Sequence, residues 1–181
     1  MKTNNIKEKI KDYFLENPTA KLRVRQIERT LKLPLPSVIR YVKELEKEKI
    51  LESSEIAGIK LFFANRISEE FKLEKKCYNL KRIYKSGLIE YLRNELSNPP
   101  VILFGSYEKA EDIESSDIDL YIETKSNSKI ILDKFEKSLN KKIQLFIYQD
   151  IKKISNPHLA NNILNGTKLN GFVELFKWVI N

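Results

Sequence analysis

The chain is poor in the residues that staple secreted proteins, ligate zinc or span bilayers. It has one cysteine, so no internal disulfide can form, which points to a cytoplasmic protein. No run of about 18 apolar residues occurs, so no transmembrane helix is expected. Met1 to Lys7 contains no apolar stretch of the kind a signal peptide needs. The single histidine, His158, follows Pro157 with no Cys or Asp constellation at zinc spacing around it, which suits a surface or capping role. Cys77 falls in a helical apolar pattern and reads as packing. Arginine is missing from the last part of the chain, since all seven arginines lie before residue 94.

What remains is the composition of a folded protein. Of 181 residues, 41% are hydrophobic and 32% charged, which fits one or two small domains and argues against disorder. The net charge of +8 is unevenly placed. Residues 1–66 hold 15 Lys+Arg against 9 Asp+Glu, whereas residues 99–181 hold 11 of each. A lysine-rich composition would raise the total but would not segregate it. The excess belongs to the N-terminal part, as expected if that part meets nucleic acid.

Apolar spacing predicts a helix over about 5–16, carried by Ile6, Ile10, Tyr13 and Phe14 and stopped at Asn17-Pro18. A second helix is expected from about Arg23 to Leu31, burying Val24, Ile27 and Leu31. Leu33-Pro34-Leu35-Pro36-Ser37 then feeds a third helix to about Lys49, with proline tolerated at the start. On that helix Val38, Val42 and Leu45 share one face, and Ser37, Arg40, Tyr41 and Glu44 share another. Two strand-like runs, Ile50 to Ile56 and Ile59 to Phe63, meet at Ala57-Gly58.

Three helices followed by a β-hairpin resemble the winged helix-turn-helix domains of prokaryotic regulators over roughly residues 1–66. The resemblance sits in Leu22-Arg23-Val24-Arg25-Gln26-Ile27 and in Ser37-Val38-Ile39-Arg40-Tyr41-Val42-Lys43-Glu44-Leu45. It implies DNA binding through Ser37, Arg40, Tyr41 and Lys43 on the third helix, with Lys60 of the wing, and Arg66 near it, reaching phosphates. The other use of such a domain is contact with protein.

Residues 67–87 are expected to form a linker helix, with a break at Ser86-Gly87. Leu73, Cys77, Leu80 and Tyr84 form an apolar seam along it. That seam reads either as packing on the chain's own domains or as the interface of a homodimer. Leu88, Ile89, Leu92 and Leu96 continue an apolar face after Gly87.

From residue 88 to 181 the chain alternates in the manner of an α/β or α+β domain. Val101-Ile102-Leu103-Phe104 is a buried-strand run. Ile118 to Glu123 is a second strand, 127–140 a helix and Lys142 to Tyr148 a third strand. Residues 150–180 are expected to be mostly helical around a turn at Asn165-Gly166, with Phe176 and Trp178 anchoring the last helix. Between the first two strands lies Leu103-Phe104-Gly105-Ser106-Tyr107-Glu108-Lys109-Ala110, then Ser115-Ser116-Asp117-Ile118-Asp119-Leu120. Alternation on a strand aims Asp117 and Asp119 the same way, with Ile118 and Leu120 on the buried side. Two carboxylates on one face are hard oxygen ligands suited to Mg²⁺ or Mn²⁺, and they repel each other unless a cation or solvent lies between them. Gly105 allows close backbone approach to a ligand, and Ser106 can open a helix whose N–H groups face phosphate. Tyr107 reads equally as a base or ribose contact and as packing.

This segment, roughly residues 88–171, resembles the minimal nucleotidyltransferases of the DNA polymerase β superfamily. The family uses Gly-Ser, ten residues, then Asp-x-Asp, and here residues 107–116 separate Ser106 from Asp117. The resemblance implies a small mixed sheet, an NTP substrate, metal binding and catalysis by Asp117 and Asp119, and triphosphate binding by Gly105 and Ser106. It also implies Mg²⁺-dependent transfer of a nucleoside monophosphate to an acceptor, which relatives find in a partner protein, a small molecule such as an antibiotic, or RNA.

Two departures are visible. The family's third carboxylate, on the later strand, corresponds to Gln144 in Lys142-Ile143-Gln144-Leu145-Phe146-Ile147, and a glutamine amide is no base near neutral pH. Glu123 and Asp150 are the nearby candidates to replace it. Members also carry Arg three residues after the Ser and Gly four after. Here these are Lys109, a point charge without the bidentate fork, and Ala110. The motifs favour an enzyme. Gln144 and the missing arginines favour a nucleotide-sensing, DNA-binding transcriptional regulator.

Overall fold

The computed structural model describes residues 3–174. The chain divides between Tyr78 and Asn79 into two compact units. Among the described residues, no helix is long and apolar enough to cross a membrane.

The first unit runs α1 (Thr3–Glu16), β1 (Lys21–Leu22), α2 (Val24–Leu31), α3 (Leu35–Lys47), β2 (Leu51–Ile56) and β3 (Ile59–Ala64). Its antiparallel sheet has the order β1-β3-β2. The two-residue strand β1 was not foreseen, being too short to show a period. The hairpin turns at Ala57 and Gly58, both with positive φ, the geometry that matches the twist of paired strands. Ile10 and Phe14 of α1, Ile27 of α2, Val38, Val42 and Leu45 of α3, and Phe62 of β3 close one core. Tyr41 belongs to that core and is only 6% exposed. Its assignment to an exposed DNA-binding face is therefore corrected. Next to Val42 it lies close enough to the inward stripe for a large ring to fold under.

Within the segment 67–87 lies helix α4 (Glu69–Lys85), and the division between the units falls inside it. Its buried positions are Phe71, Lys75, Asn79 and Ile83, stepping by four. The seam expected from sequence points elsewhere: Leu73, Cys77 and Tyr84 are exposed. Pattern reading fails here because two of the four buried residues are polar. Each is satisfied. Lys75 Nζ donates to Leu15 O at 2.7 Å, in the last turn of α1, where unpaired carbonyls and the helix dipole favour a cation.

The second unit continues with α5 (Leu88–Glu95), β4 (Val101–Phe104), the single turn α6 (Gly105–Glu108), β5 (Ile118–Glu123), α7 (Asp133–Leu139), β6 (Ile143–Tyr148), a 3-10 turn (Ile151–Lys153), α8 (Pro157–Leu164) and β7 (Thr167–Asn170). Its sheet has the order β6-β5-β4-β7, with β5 and β6 parallel and the other pairs antiparallel. The sheet is thus small and mixed. Both faces are covered. Val101, Leu103, Ile118, Leu120 and Ile122 pack with Leu88 and Leu92 on one side, and Ile102, Phe104 and Tyr121 pack with Ile151 and Ile163 on the other. Residues 167–170 were expected to be helical and are instead the strand beside β4. Edge pairing was decided by the partner β4, not by the local pattern. Phe176 and Trp178 lie outside the described residues. His158 is exposed, and its backbone N–H is capped by Asn156 Oδ1 at 2.9 Å.

Candidate active site

β4 ends at Phe104, and the chain turns immediately into α6. Gly105 makes that turn possible, with φ +78° and no room for a side chain: a Cβ there would lie 2.3 Å from Asp119 Oδ2. The glycine is required by both conformation and contact. The carboxylate of Asp119 thus lies directly against the backbone of the Gly105-Ser106 turn, so residues far apart in sequence meet at one point. Ser106 is half-buried and Lys109 exposed. Among the described residues Lys109 enters no ion pair. Ala110, buried at φ +59°, holds the left-handed conformation that glycine adopts without penalty.

Asp119 is the second residue of central strand β5, flanked by Phe104 on β4 and Gln144 on β6. Asp117 is exposed and sits just before the strand. Ile118 and Leu120 are fully buried on the opposite face. Burial holds the Asp119 carboxyl above the ordinary carboxylate range, and the negative charge of Asp117 raises it further. Two like charges, one partly desolvated, are the arrangement a cation relieves. Mg²⁺ is ordinarily bound by one or two carboxylates together with water and substrate phosphates, and the Asp pair fits one such ion. No cluster of three or more His, Cys, Asp or Glu suited to a metal occurs among the described residues.

The register settles where Gln144 stands. It is the direct partner of Asp119 in the parallel pair and is exposed. Neither proposed substitute shares that place. Glu123 lies four residues further along β5, about 13 Å at the rise of a strand. There it accepts from Tyr121 Oη at 2.8 Å and from Ile151 N at 3.1 Å. Asp150 caps the 3-10 turn through Lys152 N at 2.8 Å. Both carboxylates are occupied in structural roles.

The segment leading to Asp117 is held by a buried polar network that sequence reading missed. Asn79 Nδ2 donates to Tyr107 O at 2.9 Å and to Asp112 Oδ1 at 2.8 Å, tying α4 to α6 and to the loop. Lys141, after the left-handed Asn140 that ends α7, places Nζ 3.4 Å from Asp112 Oδ2. The same Nζ donates to Ile113 O at 2.6 Å and Ser116 O at 3.3 Å. These side chains are 6% and 1% exposed for Lys141 and Asp112. A buried ion pair stands only with its remaining donors and acceptors satisfied, and here the loop carbonyls do that. The backbone before Asp117 is thereby fixed on one side by Lys141 and on the other by β5. No sequence signal pointed to this, since Asn79, Asp112 and Lys141 look like surface residues of three separate segments. Tyr107 is 1% exposed within the core, which decides for packing over a base contact. A cavity of about 540 Å³ opens beside Asp117, lined by Ser115, Ser116, Lys137, Asn140 and Lys142 among others.

The residues expected to meet DNA lie in the first unit, Ser37, Arg40, Tyr41 and Lys43 on α3 and Lys60 on β3. Arg40 is exposed but its Nε is 2.8 Å from Glu44 Oε1. Lys60 lies 3.4 Å from Glu46 Oε2. Lys43 is exposed and Ser37 half-buried.

Residues 86–170 match the family described as Polymerase beta, Nucleotidyltransferase. The matched segment begins just before α5, ends with β7, and contains every residue of the Gly105–Asp119 site. No curated protein and no solved structure matches the chain significantly. The match likens that segment to a nucleotidyltransferase domain; domains of that family take an NTP substrate and generally use a divalent metal.

Proposed function

We propose that the chain is a cytoplasmic winged-helix nucleotidyltransferase that moves a nucleoside monophosphate from an NTP to an acceptor hydroxyl. The observation that carries this reading is the contact between Asp119 and the Gly105 backbone, which brings the acidic pair to the turn where a triphosphate would lie. Asp117 and Asp119 hold Mg²⁺ or Mn²⁺. The Gly105 and Ser106 backbone, with Lys109, holds the phosphates. The bound ion supplies charge neutralisation at the phosphates. In the transfer, an acceptor oxygen bonds to the α-phosphorus, the bond to the β-phosphate oxygen breaks, and pyrophosphate leaves. The acceptor proton goes to solvent, because the Gln144 amide cannot take it. The acceptor, a protein, a small molecule or RNA, enters through the cavity beside Asp117. The first unit, with three helices and a β1-β3-β2 sheet, serves as a winged helix that places the enzyme on DNA. Two copies meet along the exposed stripe of Leu73, Cys77 and Tyr84.

A second reading has its own observation. Gln144 stands beside Asp119 where the family carries a carboxylate, which favours a catalytically impaired protein that senses a nucleotide and regulates through DNA. Incubation with each α-labelled NTP, Mg²⁺ or Mn²⁺ and host extract separates the two. Label transfer that vanishes in Asp117→Ala/Asp119→Ala establishes the enzyme. Transfer seen only after Gln144→Asp, a gain of about 10²–10⁴-fold for a restored base, establishes the impaired protein.

A further inference from the structure

Basic charge in the first unit is densest in the segment around α2, from β1 to the end of that helix. From Lys21 to Lys32 there are five basic residues and one acid, whereas from Pro34 to Lys49 there are four and three. On α3 Arg40 pairs with Glu44, and just past the end of the helix Lys49 pairs with Glu70 at 2.8 Å. Arg23, Arg25 and Arg29 are different. All three are exposed and enter no ion pair among the described residues. With Gln26, Gly58 and Lys60 they line a groove of about 670 Å³ between α2 and the hairpin tip, and no carboxylate lines it. Arg25 and Arg29 stand one helical turn apart, where like charges repel by a few tenths of a kcal/mol. Among the described residues no ion pair relieves that repulsion. At the hairpin tip, nothing lies within 4 Å of where a Cβ on Gly58 would project, so the rim of the groove is open.

We propose that this groove binds the sugar–phosphate backbone of a nucleic acid and supplies affinity without base readout. Guanidinium forks match phosphate oxygens bidentately, which a lysine array does not. A concave strip of arginines suits a strand laid along it, and phosphate contacts position a protein without specifying sequence. The inference rests on the reading of the first unit as a nucleic-acid-binding domain and moves its main contact from α3 to the α2–hairpin groove.

The test is fluorescence anisotropy of the full chain with a labelled 20-base-pair mixed-sequence DNA and its single strand, over a range of KCl. Arg25→Ala/Arg29→Ala is expected to weaken binding about tenfold or more and to lower the slope of log K against log salt by about 2. Arg40→Ala/Lys43→Ala should change that slope by less than about 1. Unchanged thermal unfolding in both variants assures folding. If the groove variant binds like the parent while the α3 variant loses affinity, the groove is overturned and the nucleic-acid reading stands. If the parent binds neither DNA, both are overturned. Equal displacement of DNA by polyglutamate of matched charge overturns the choice of phosphodiester and points to an acidic protein.

Discussion

The arginine groove of the first unit and the loop to Asp117 in the second treat their polar side chains in opposite ways. In the first, Arg23, Arg25 and Arg29 are exposed along a groove that no carboxylate lines among the described residues. In the second, Asn79, Asp112 and Lys141 are withdrawn from water, bonded to one another and to loop carbonyls, and set the backbone just ahead of Asp117. The difference suits the roles proposed for each surface. A flexible, phosphate-bearing strand is attracted by a field and tolerates mobile cations. A carboxylate that must meet a metal and a triphosphate has to be placed to within a fraction of an ångström, so its support is buried and connected.

The strongest way to break the contrast is to cut the buried network. Lys141→Met leaves Asp112 charged and buried, and should destabilise the second unit by about 3–5 kcal/mol, the cost of orphaning one partner of a buried pair. Urea unfolding measures this, and a loss below about 1 kcal/mol would mean the pair behaves as a surface one. Gly105→Ala comes next. Its methyl would displace the Asp119 carboxylate in a left-handed backbone, with a penalty of about 1–2 kcal/mol. Calorimetric titration with Mn²⁺ and a non-hydrolysable NTP should show binding weakened at least about tenfold.

Asp119→Asn should act on stability in the other direction. The Asp119 carboxyl is raised by burial and by Asp117. The folded state therefore holds its proton more tightly than the unfolded one, so stability is greatest below the ordinary carboxylate range and falls as pH rises through the raised value. Near neutral pH the uncharged amide should raise the metal-free Tm by roughly 1–3 °C, and this advantage should be absent near pH 3. Added Mg²⁺ should stabilise the parent but not the variant. The smallest effect is expected from Arg25→Ala/Arg29→Ala, which should leave stability within about 0.5 kcal/mol, as for surface positions in general. A larger loss would show that the α2 arginines hold the fold together, and the contrast would fail.

Much of this could be read locally. Most helix and strand boundaries follow from apolar period, with Pro, Gly and Asn marking the stops, but the helix expected over 127–140 spans only Asp133–Leu139. The Gly105-Ser106 turn, its spacing to Asp117, and the departure at Gln144 were legible in the motif, whereas the pairing of Gln144 with Asp119 came only with the register of β5 and β6. Tyr41 was misplaced because a helical wheel has no sharp edge for a large amphipathic ring. Lys75 and Asn79 were passed over because polarity signals exposure unless a partner is known, and their partners, Leu15 and Asp112, lie 60 and 33 residues away. Thr167 to Asn170 form a strand only because β4 offers an edge.

The sequence by itself determined where turns fall, which faces of most elements are apolar, and that two acids and a Gly-Ser turn share one short stretch. These are short-range properties, fixed by φ/ψ preference and side-chain period. Only the tertiary structure decided that Asp119 touches the Gly105 backbone, that Lys141 and Asp112 are buried together beside the loop to Asp117, and that Arg23, Arg25 and Arg29 line one groove with the hairpin tip. Each depends on which atoms are brought near and on how much water is excluded, and neither quantity is written into any single segment.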